Sequence, residues 1–143
     1  MTEVKDAAYW LGINDSVVAE FRANAGKVGG DLEAFDVLLL TTTGAKSGKP
    51  RLTPLSYFTI DDKMIVVGSK AGADTDPDWV HNLRANPRAH IEVGTDAYDV
   101  TARELSPQER DETYPKVVAL APVFGDYEAK ANRVIPLYEL QRA

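Results

Sequence analysis

The sequence predicts a mainly β fold with α additions: a β-barrel of about six mostly antiparallel strands with flanking helices. Three observations predict it. Strand-like runs follow one another across short turns, the helical patterns fall mostly late in the chain, and strands and helices do not alternate as they do in a parallel α/β sheet. The chain has 143 residues, 44% of them hydrophobic. We therefore expect residues 1–143 to form a single domain with a substantial core.

The N-terminal part predicts one helix and one buried strand. The helix covers about residues 14–24, with Asn14 as its cap and Phe21 among the apolar residues on one side. It ends at the glycines that follow: Gly26, Gly29 and Gly30. Val37–Thr43 is a continuous apolar run that ends in threonines, which is typical of a strand buried on both faces.

The next predicted elements are two strands and a helix. Leu52–Ile60 alternates loosely between apolar and polar residues, and a turn at residues 61–62 leads into the strand Lys63–Ser69. Together with the first strand, these two form a meander. Asp76 and Pro77 predict a helix start, because an acidic N-cap followed by proline at the first helical position suits a helix N-terminus.

The second half begins with a predicted hairpin, in which Ala89–Val93 and Tyr98–Leu105 pair across a short turn. Ser106–Glu109 then has the pattern of a capping box, which opens a helix. Pro115 and Pro122 are expected to kink or end that helix.

The C-terminal segment predicts a helical turn and an edge strand. The turn lies near Asp126–Asn132, and the last strand is Val134–Leu140. Because Pro136 has no N–H to donate, we expect this strand at the edge of the sheet.

The composition excludes several classes of function. The net charge is −6, so we expect no binding to nucleic acid or to anionic membranes. Cysteine is absent, which excludes thiol catalysis and thiolate metal sites, and His81 and His90 have no acidic partner at ligand spacing, so we expect no metal site. Without a signal peptide or an apolar run of membrane-spanning length, we expect a cytoplasmic protein, at most peripheral to the inner face of the membrane.

Residues 41–55 are the most informative segment of the chain. A buried strand runs there into a loop, and a second strand begins after Pro50. Cations, glycines and hydroxyl residues are concentrated in the loop and its exit: Lys46, Lys49, Arg51, Gly44, Gly48, Ser47 and Thr53. Glycines let backbone N–H groups approach a ligand, and such loops bind phosphate. The segment predicts an anion site, although an ordinary hairpin with solvated lysines has the same composition.

This segment is not a Walker A loop. Compared with that motif, its second glycine comes one position early, and Pro50 takes the place of the Ser or Thr. The run after Pro50 also predicts a strand, whereas a Walker A loop opens a helix. We therefore expect no nucleotide hydrolysis.

The other side chains do not form a catalytic centre of their own, since the chain lacks the pattern of a serine nucleophile. An anion site without strong reactive groups predicts a protein that takes its chemistry from a cofactor. Two patches suit a planar cofactor: Gly68–Gly72, with its serine and lysine, and the helix face that carries Trp79 and Asn82. Taken singly, Trp79 is equally well explained as core and Asn82 as surface.

Four runs of the chain are recognisable together: LLLTTTGAKSGKPRLTPL, VVGSKAGA, PDWVHNLRANP and DYEAKANRVIP. In this order and spacing they resemble the deazaflavin (F420)-dependent nitroreductase family, actinobacterial oxidoreductases among the FMN-binding split-barrel-like proteins. The resemblance covers about residues 20–140. It implies a split β-barrel, in agreement with the strand pattern, and coenzyme F420 (an 8-hydroxy-5-deazaflavin) as the cofactor, with FMN less suited.

The resemblance also implies positions for the cofactor. Its acidic tail and phosphate would be held by Ala45, Lys46 and Ser47, which Lys49 joins as a further cation. The positions beside the phosphate and ring would be Arg51, Leu52, Thr53, Pro54, Leu55 and Ser56. Those that contact the deazaflavin or close its other side would be Val67, Gly68, Ser69, Lys70, Asp78, Trp79, Val80, His81, Asn82 and Phe124.

The implied function is an F420H2-dependent oxidoreductase that transfers hydride from the reduced deazaflavin to a small or lipophilic acceptor: a quinone, an enone or a nitroaromatic compound. We expect Ser69 to donate a hydrogen bond near the reacting ring and Tyr127 or solvent to supply the proton, which makes these two residues the catalytic candidates. The alternatives are a non-catalytic F420 carrier and an FMN-binding reductase of the same barrel. We expect a monomer or homodimer.

This chain departs from the pattern of the family at the acceptor pocket. Nitro-reducing members of the family tend to carry several tyrosines around the substrate. This chain keeps Tyr127 but has Ala121 and Phe124 at the neighbouring positions. We therefore expect a drier acceptor pocket with fewer hydrogen-bond donors.

Overall fold

The computed structural model describes residues 16–27 and 36–143, and these form a closed barrel of six strands with helices around it. The strands are β1 (Val37–Thr43), β2 (Pro50–Ile60), β3 (Lys63–Val67), β4 (Arg88–Val93), β5 (Asp96–Glu104) and β6 (Leu137–Arg142). The helices are α1 (residues 16–23), α2 (Asp78–Ala85), α3 (Pro107–Leu120) and α4 (Val123–Lys130), with a 3₁₀ turn at Lys70–Gly72. The predicted fold class, a split barrel with flanking helices, is confirmed.

All neighbouring strands in the barrel are antiparallel, in the order β1-β2-β3-β6-β5-β4. The predicted meander of the first three strands is confirmed, and β4 pairs with β1 to close the barrel. The predicted edge position of the last strand is wrong, because β6 lies between β3 and β5. Pro136 is tolerated because it precedes the first residue of β6, outside the hydrogen-bonded ladder.

The start of α2 also differs from the prediction. Its N-cap residue is Pro77 and not Asp76, and no side chain caps it. The Asp76 carboxylate instead accepts hydrogen bonds from Arg84 and Arg133. The carboxylate therefore points to these two arginines and not to the backbone N–H groups at the start of α2.

The predicted capping box at the start of α3 is confirmed. Ser106 Oγ accepts from Glu109 N at 3.2 Å, and Glu109 Oε1 accepts from Ser106 N at 3.1 Å. Arg103 also donates to the Glu109 carboxylate. The bond from Arg103, together with those from Ser106, lowers the pKa of Glu109 to about 2.

The prolines of the second half act differently from one another. Pro115 does not end α3, which continues through it to Leu120. Pro122 is the N-cap of α4. As a result, the helical turn predicted at Asp126–Asn132 is a longer helix that begins at Val123.

The predicted N-terminal helix is present at residues 16–23. Its predicted cap, Asn14, and the glycines Gly29 and Gly30 lie outside the described residues. The helix ends before Ala25 and Gly26, whose φ angles of 56° and 91° are left-handed, a conformation that commonly terminates helices. None of the helices in the described ranges is long and apolar enough to cross a membrane.

The helices divide the surface of the barrel between them. α2 closes the barrel interior with its buried residues Trp79, Val80, Asn82 and Leu83. On the outside, Phe21 of α1 packs on Val37 and Leu39 of β1. α3 and α4 cover the outer faces of β2, β3 and β6, where Tyr114 and Phe124 are buried. The candidate site lies at the end of the barrel that α2 closes.

Candidate cofactor site

The β1–β2 loop is closed by its own hydrogen bonds. Gly44 N donates to Lys49 O at 2.8 Å, and Gly48 N donates to Gly44 O at 2.9 Å. Ser47 Oγ accepts from Lys49 N at 3.2 Å. Gly48 has a φ of 69°, a left-handed conformation that favours glycine. A Cβ at Gly44 would lie 2.5 Å from Ser47 Oγ, so a larger residue there would displace the Ser47 side chain. The N–H groups of both glycines donate to acceptors within the loop, so in this conformation they close the turn.

Asn82 of α2 ties this loop to the barrel. Its Oδ1 accepts from Ala45 N at 2.9 Å, and its Nδ2 donates to Thr42 Oγ1 at 3.0 Å. Because Asn82 is buried, both ends of its amide are committed inside the protein. Ala45 and Asn82, predicted as separate cofactor contacts, form a tether that fixes the loop relative to α2.

Replacing Asn82 by alanine is expected to lower the free energy of unfolding by about 1–3 kcal/mol, because buried polar groups lose their partners. The matched control is Asn86→Ala at the end of the same helix, where a single exposed bond to Arg88 N is lost; there we expect a change within about 0.5 kcal/mol. Urea unfolding measures both. A loss for Asn82→Ala no larger than that of the control would contradict the tether.

The three cations of the loop and its exit are exposed. Within residues 16–27 and 36–143, no carboxylate lies within ion-pair distance of Lys46, Lys49 or Arg51. Arg51 is the register partner of Thr42, so its side chain lies on the inward face, at the end of the barrel where Asn82 binds. In an acidic chain, cations without acidic neighbours create a local positive potential that suits an anionic ligand.

The first half of β2 presents an open outer face, here named the β2 shelf: Leu52, Pro54 and Ser56. Residues of a strand alternate between its two faces. Phe58, two residues further on, packs in the outer core against Phe124, whereas Leu55 packs in the barrel interior. The predicted cofactor positions of β2 thus divide between two faces: the shelf residues face outward, and Arg51 and Thr53 face inward with Leu55.

Two covered regions bound the β2 shelf. On one side, Phe21 of α1 packs on Val37 and Leu39, the β1 neighbours of the shelf. On the other side, Phe124 of α4 stands edge-on to Tyr127, with ring centroids 5.4 Å apart. The shelf is thus a partly exposed strip between two apolar walls, a shape that suits a planar ring system.

The segment that follows β3 has an uncommon backbone conformation. Lys70 has a φ of 46°, in the left-handed region that is strained for residues other than glycine. Gly72 packs on α4, where a Cβ would lie 3.2 Å from Tyr127 O. Ser69 is buried, while Lys70 is exposed and its Nζ lies 3.3 Å from Thr75 Oγ1. The structure therefore places the two catalytic candidates, Ser69 and Tyr127, on adjacent segments.

The α2 residues predicted at the cofactor divide between core and surface. Trp79 is 4% exposed and Val80 is fully buried. Val80 also packs so closely on Gly68 that a Cβ there would lie 2.9 Å from it. Asp78 and His81 are exposed. The side chains of Trp79 and Val80 are part of the interior core, and their contact with the ring stays a prediction.

Val67 and Phe124, predicted at the cofactor, and Ala121, predicted at the acceptor, are also buried. Phe124, Ala121 and Val67 belong to the outer core under α3 and α4. Phe124 O accepts from Tyr114 OH at 2.7 Å, and burial raises the pKa of Tyr114 to about 12, so the phenol stays a neutral donor. Ala121 and Phe124 are thus packed against other apolar side chains, and the drier acceptor pocket stays a prediction.

One histidine has an acidic partner that its sequence spacing did not suggest. His90 and Asp99 are opposite one another in the β4–β5 register, and His90 Nδ1 lies 2.9 Å from Asp99 Oδ1. Among the described residues, no three metal-ligating side chains cluster.

Two surface clefts lie away from these residues. One, of 170 Å³, is next to the β2–β3 turn and includes Asp61 and Lys116 in its lining. The other, of 440 Å³, lies between α3 and α4, where Arg110 pairs with Glu128 at 2.6 Å. Neither is lined by the β1–β2 loop, the β2 shelf or the segment after β3, so neither is the predicted cofactor site.

Arg133 is a residue of this region that the sequence patterns did not identify. It donates to Ser69 O, which is 64 residues away in the chain, and to the Asp76 carboxylate. A signal was present, because Arg133 lies in the DYEAKANRVIP run that carries part of the resemblance. Spacing alone does not reveal that an arginine reaches back over such a distance.

Comparison with known proteins adds to this geometry. The family model described as F420H(2)-dependent quinone reductase matches residues 14–141. The F420H(2)-dependent quinone reductase Rv1261c of Mycobacterium tuberculosis is 35% identical over 138 residues, which cover 92% of this chain and 89% of the relative. A solved F420-H2 dependent reductase (FDR-A) has a TM-score of 0.65 and 38% identity, covering 73% of this chain and 93% of that one. Another solved structure, described as a domain-swapped dimer, has a TM-score of 0.67 and 32% identity, covering 95% of this chain and 100% of that one.

These findings confirm the resemblance drawn from the sequence motifs. The cofactor in the description of the family is F420, as expected, and the acceptor is a quinone, one of the three expected acceptor classes. Both solved relatives share the barrel over most of the chain. Because the family model matches residues 14–141, nearly the whole chain, this protein belongs to the F420H2-dependent quinone reductase family.

Proposed function

We propose that this protein is an F420H2-dependent quinone reductase, which transfers hydride from the reduced deazaflavin to a quinone. The observation that carries the proposal is the cationic β1–β2 loop of an acidic chain, where Lys46, Lys49 and Arg51 have no carboxylate partner among the described residues. A phosphate with a polyanionic glutamate tail suits such a loop. When bound, the deazaflavin supplies a two-electron hydride, so the chain itself has to bind and orient the reactants.

Each part of the candidate site has its own task in this proposal. Lys46 and Lys49 hold the acidic tail on the exposed loop, and Arg51, at the same end of the barrel, holds the phosphate. The β2 shelf supports one face of the ring between α1 and α4. Charged groups at one end and an apolar strip beyond them bind an amphipathic cofactor in a single direction, which determines the face of the ring that is left for the acceptor.

Ser69 and Tyr127 are the proposed groups for hydrogen bonding and proton supply. They lie on segments that meet where Gly72 packs on Tyr127. In the proposal, the Ser69 hydroxyl donates a hydrogen bond to the ring, and Tyr127 or solvent supplies the proton that a quinone needs after it accepts hydride. Enones and nitroaromatic compounds are expected to be poorer acceptors, because quinones are reduced more easily and need less help from the protein.

A non-catalytic F420 carrier and an FMN-binding reductase are the alternative functions. Turnover separates the first from a reductase: F420H2 and a soluble quinone such as menadione are mixed with the protein, and saturable oxidation of F420H2 excludes a carrier. Cofactor affinity separates the second. Membership of a family of F420H2-dependent quinone reductases supports an F420-dependent enzyme over both alternatives.

The purified protein is expected to bind F420 more tightly than FMN, because F420 offers more negative charge to the loop. Each exposed ion pair contributes about 0.2–1 kcal/mol, and several on one polyanion sum. The affinity for F420 should fall as the salt concentration rises, since the charges are exposed to screening. Fluorescence titration with both cofactors, at low and high salt, measures this. Equal affinities for F420 and FMN would contradict the proposal.

We also infer a cytoplasmic protein that does not bind nucleic acid. The net charge of −6 opposes binding to polyanions, and the absence of cysteine suits a reducing compartment. The proposed state is a monomer or homodimer, and a solved relative described as a domain-swapped dimer supports the dimer. Light scattering after size exclusion distinguishes the two.

A further inference from the structure

The segment between β3 and α2 is fastened by one side chain from near the end of the chain. Arg133 Nη2 donates to the carbonyl oxygens of Gly68 and Ser69, both at 3.1 Å. Its Nε donates to Ala73 O at 3.0 Å. The guanidinium group therefore holds both ends of the bend that residues 68–73 form.

Asp76 balances the charge of Arg133 at the end of the same segment. Arg133 Nη1 lies 2.7 Å from Asp76 Oδ1, and the two side chains are only 14% and 16% exposed. The other oxygen of Asp76 accepts from Arg84 Nη1 at 2.9 Å. Removing one member of such a pair would leave a largely buried charge without a partner, which destabilises the folded state. The two side chains are therefore held together.

Further charged hydrogen bonds join this pair to the barrel wall. Arg84 donates to both oxygens of Glu104 on β5, at 3.0 and 3.1 Å. Tyr138 OH on β6 donates to Glu104 Oε1 at 2.7 Å. The bond from Arg84 is the main cause that lowers the pKa of Glu104, so this carboxylate stays charged. The bend at residues 68–73 is thereby positioned against β5 and β6.

The backbone of the bend needs such support. The left-handed φ of Lys70 is 46°, and a strained residue persists only where its surroundings hold it. The Arg133 bonds fall on both sides of Lys70, at Ser69 O before it and Ala73 O after it. Arg133 is thus placed to maintain the conformation that presents Ser69 and Lys70.

We propose that Arg133 is a positioning residue for the reaction: together with Asp76, it fixes the backbone of residues 68–73 and so sets the positions of Ser69 and Lys70 at the cofactor. This inference rests on the proposed function, in which those two residues contact the deazaflavin. Lysine cannot substitute for Arg133, because a single ammonium group cannot serve three carbonyls and a carboxylate at the positions of a planar guanidinium.

The test compares Arg133→Lys and Asp76→Asn with the wild type and with the control Arg103→Lys. Arg103 also bridges two carboxylates, those of Glu109 and Glu139. Its side chain lies on the opposite face of β5 from Glu104, the residue that Arg84 binds. Five quantities are measured for each protein: the Kd of oxidised F420 by fluorescence, the kcat and KM with menadione, the primary deuterium isotope effect with F420H2 deuterated at C5, and the melting temperature.

We expect Arg133→Lys to weaken F420 binding about 10-fold and to lower kcat about 10- to 100-fold, because a misplaced hydride donor slows the transfer step. The KM for menadione should stay unchanged and the isotope effect should increase. Asp76→Asn should change the same quantities in the same direction, and Arg103→Lys should retain the wild-type Kd, kcat and isotope effect. If Arg133→Lys does not fold, Asp76→Asn decides by the same measurements.

A purely structural Arg133 would give a different result: a lower melting temperature, with Kd, kcat and isotope effect at wild-type values in the folded variant. That result overturns the inference. Binding of F420 to the wild type is measured first. If the wild type does not bind F420, the proposed function fails; if it binds and turns over while the variants match it, only the inference about Arg133 fails.

Discussion

Replacing Trp79 by alanine is expected to lower the free energy of unfolding by about 3–5 kcal/mol. Trp79 is 4% exposed and stands edge-on to the Tyr138 ring, with centroids 5.8 Å apart. Removing the indole leaves a cavity between α2 and the barrel interior, where hydrogen-bonded strands cannot move in to fill it. Urea unfolding followed by far-UV circular dichroism measures the loss.

The matched control is Leu120→Ala at the end of α3, since Leu120 is a large apolar residue that is 63% exposed. There we expect a change within about 0.5 kcal/mol. A loss for Trp79→Ala as small as that of the control would contradict the core position and would favour the sequence-based expectation that Trp79 contacts the bound ring. Trp10, which lies outside the described residues, also fluoresces. The emission of Trp79 with and without F420 is therefore measured in a Trp10→Phe variant.

The elements of the barrel follow from local sequence patterns, and these predictions were the most successful. The apolar run Val37–Thr43 is a strand with the predicted bounds, and the capping box at Ser106 starts a helix as expected. Both signals depend only on residues a few positions apart. The loop of cations is also visible in the sequence, because charge and glycine content are local properties.

The contacts that build the site depend on the closed barrel and are not visible in local patterns. Asn82 reaches Ala45 across 37 residues, and Arg133 reaches Ser69 across 64. Asp76 is another example. The local pattern predicts a helix cap, but the Asp76 carboxylate accepts hydrogen bonds from Arg84 and Arg133 in the folded chain. For Trp79, the helix pattern identified an apolar position but not whether it faces the barrel or the ligand.

Reversing the charges of Lys46 and Lys49 together is expected to weaken F420 binding by on the order of 100-fold. An exposed ion pair contributes about 0.2–1 kcal/mol, and reversal replaces this attraction with a repulsion of similar size. Two such changes opposite one polyanion sum to about 1–4 kcal/mol, with each 1.4 kcal/mol worth about tenfold in Kd. The fold should be retained, since both side chains are exposed and have no carboxylate partner within the described ranges.

The matched control for Lys46→Glu/Lys49→Glu is Lys63→Glu/Lys116→Glu, near the β2–β3 turn at the opposite end of the 11-residue strand β2, roughly 30 Å away. It changes the net charge equally, so any general repulsion of F420 is the same in both double variants. Only the first removes the loop cations, so only the first should show the large loss in a fluorescence titration at low ionic strength. The difference between the two should shrink as salt is added, because the charges involved are exposed. Equal weakening would mean that net charge sets the affinity, and the β1–β2 loop would then not be the anion site.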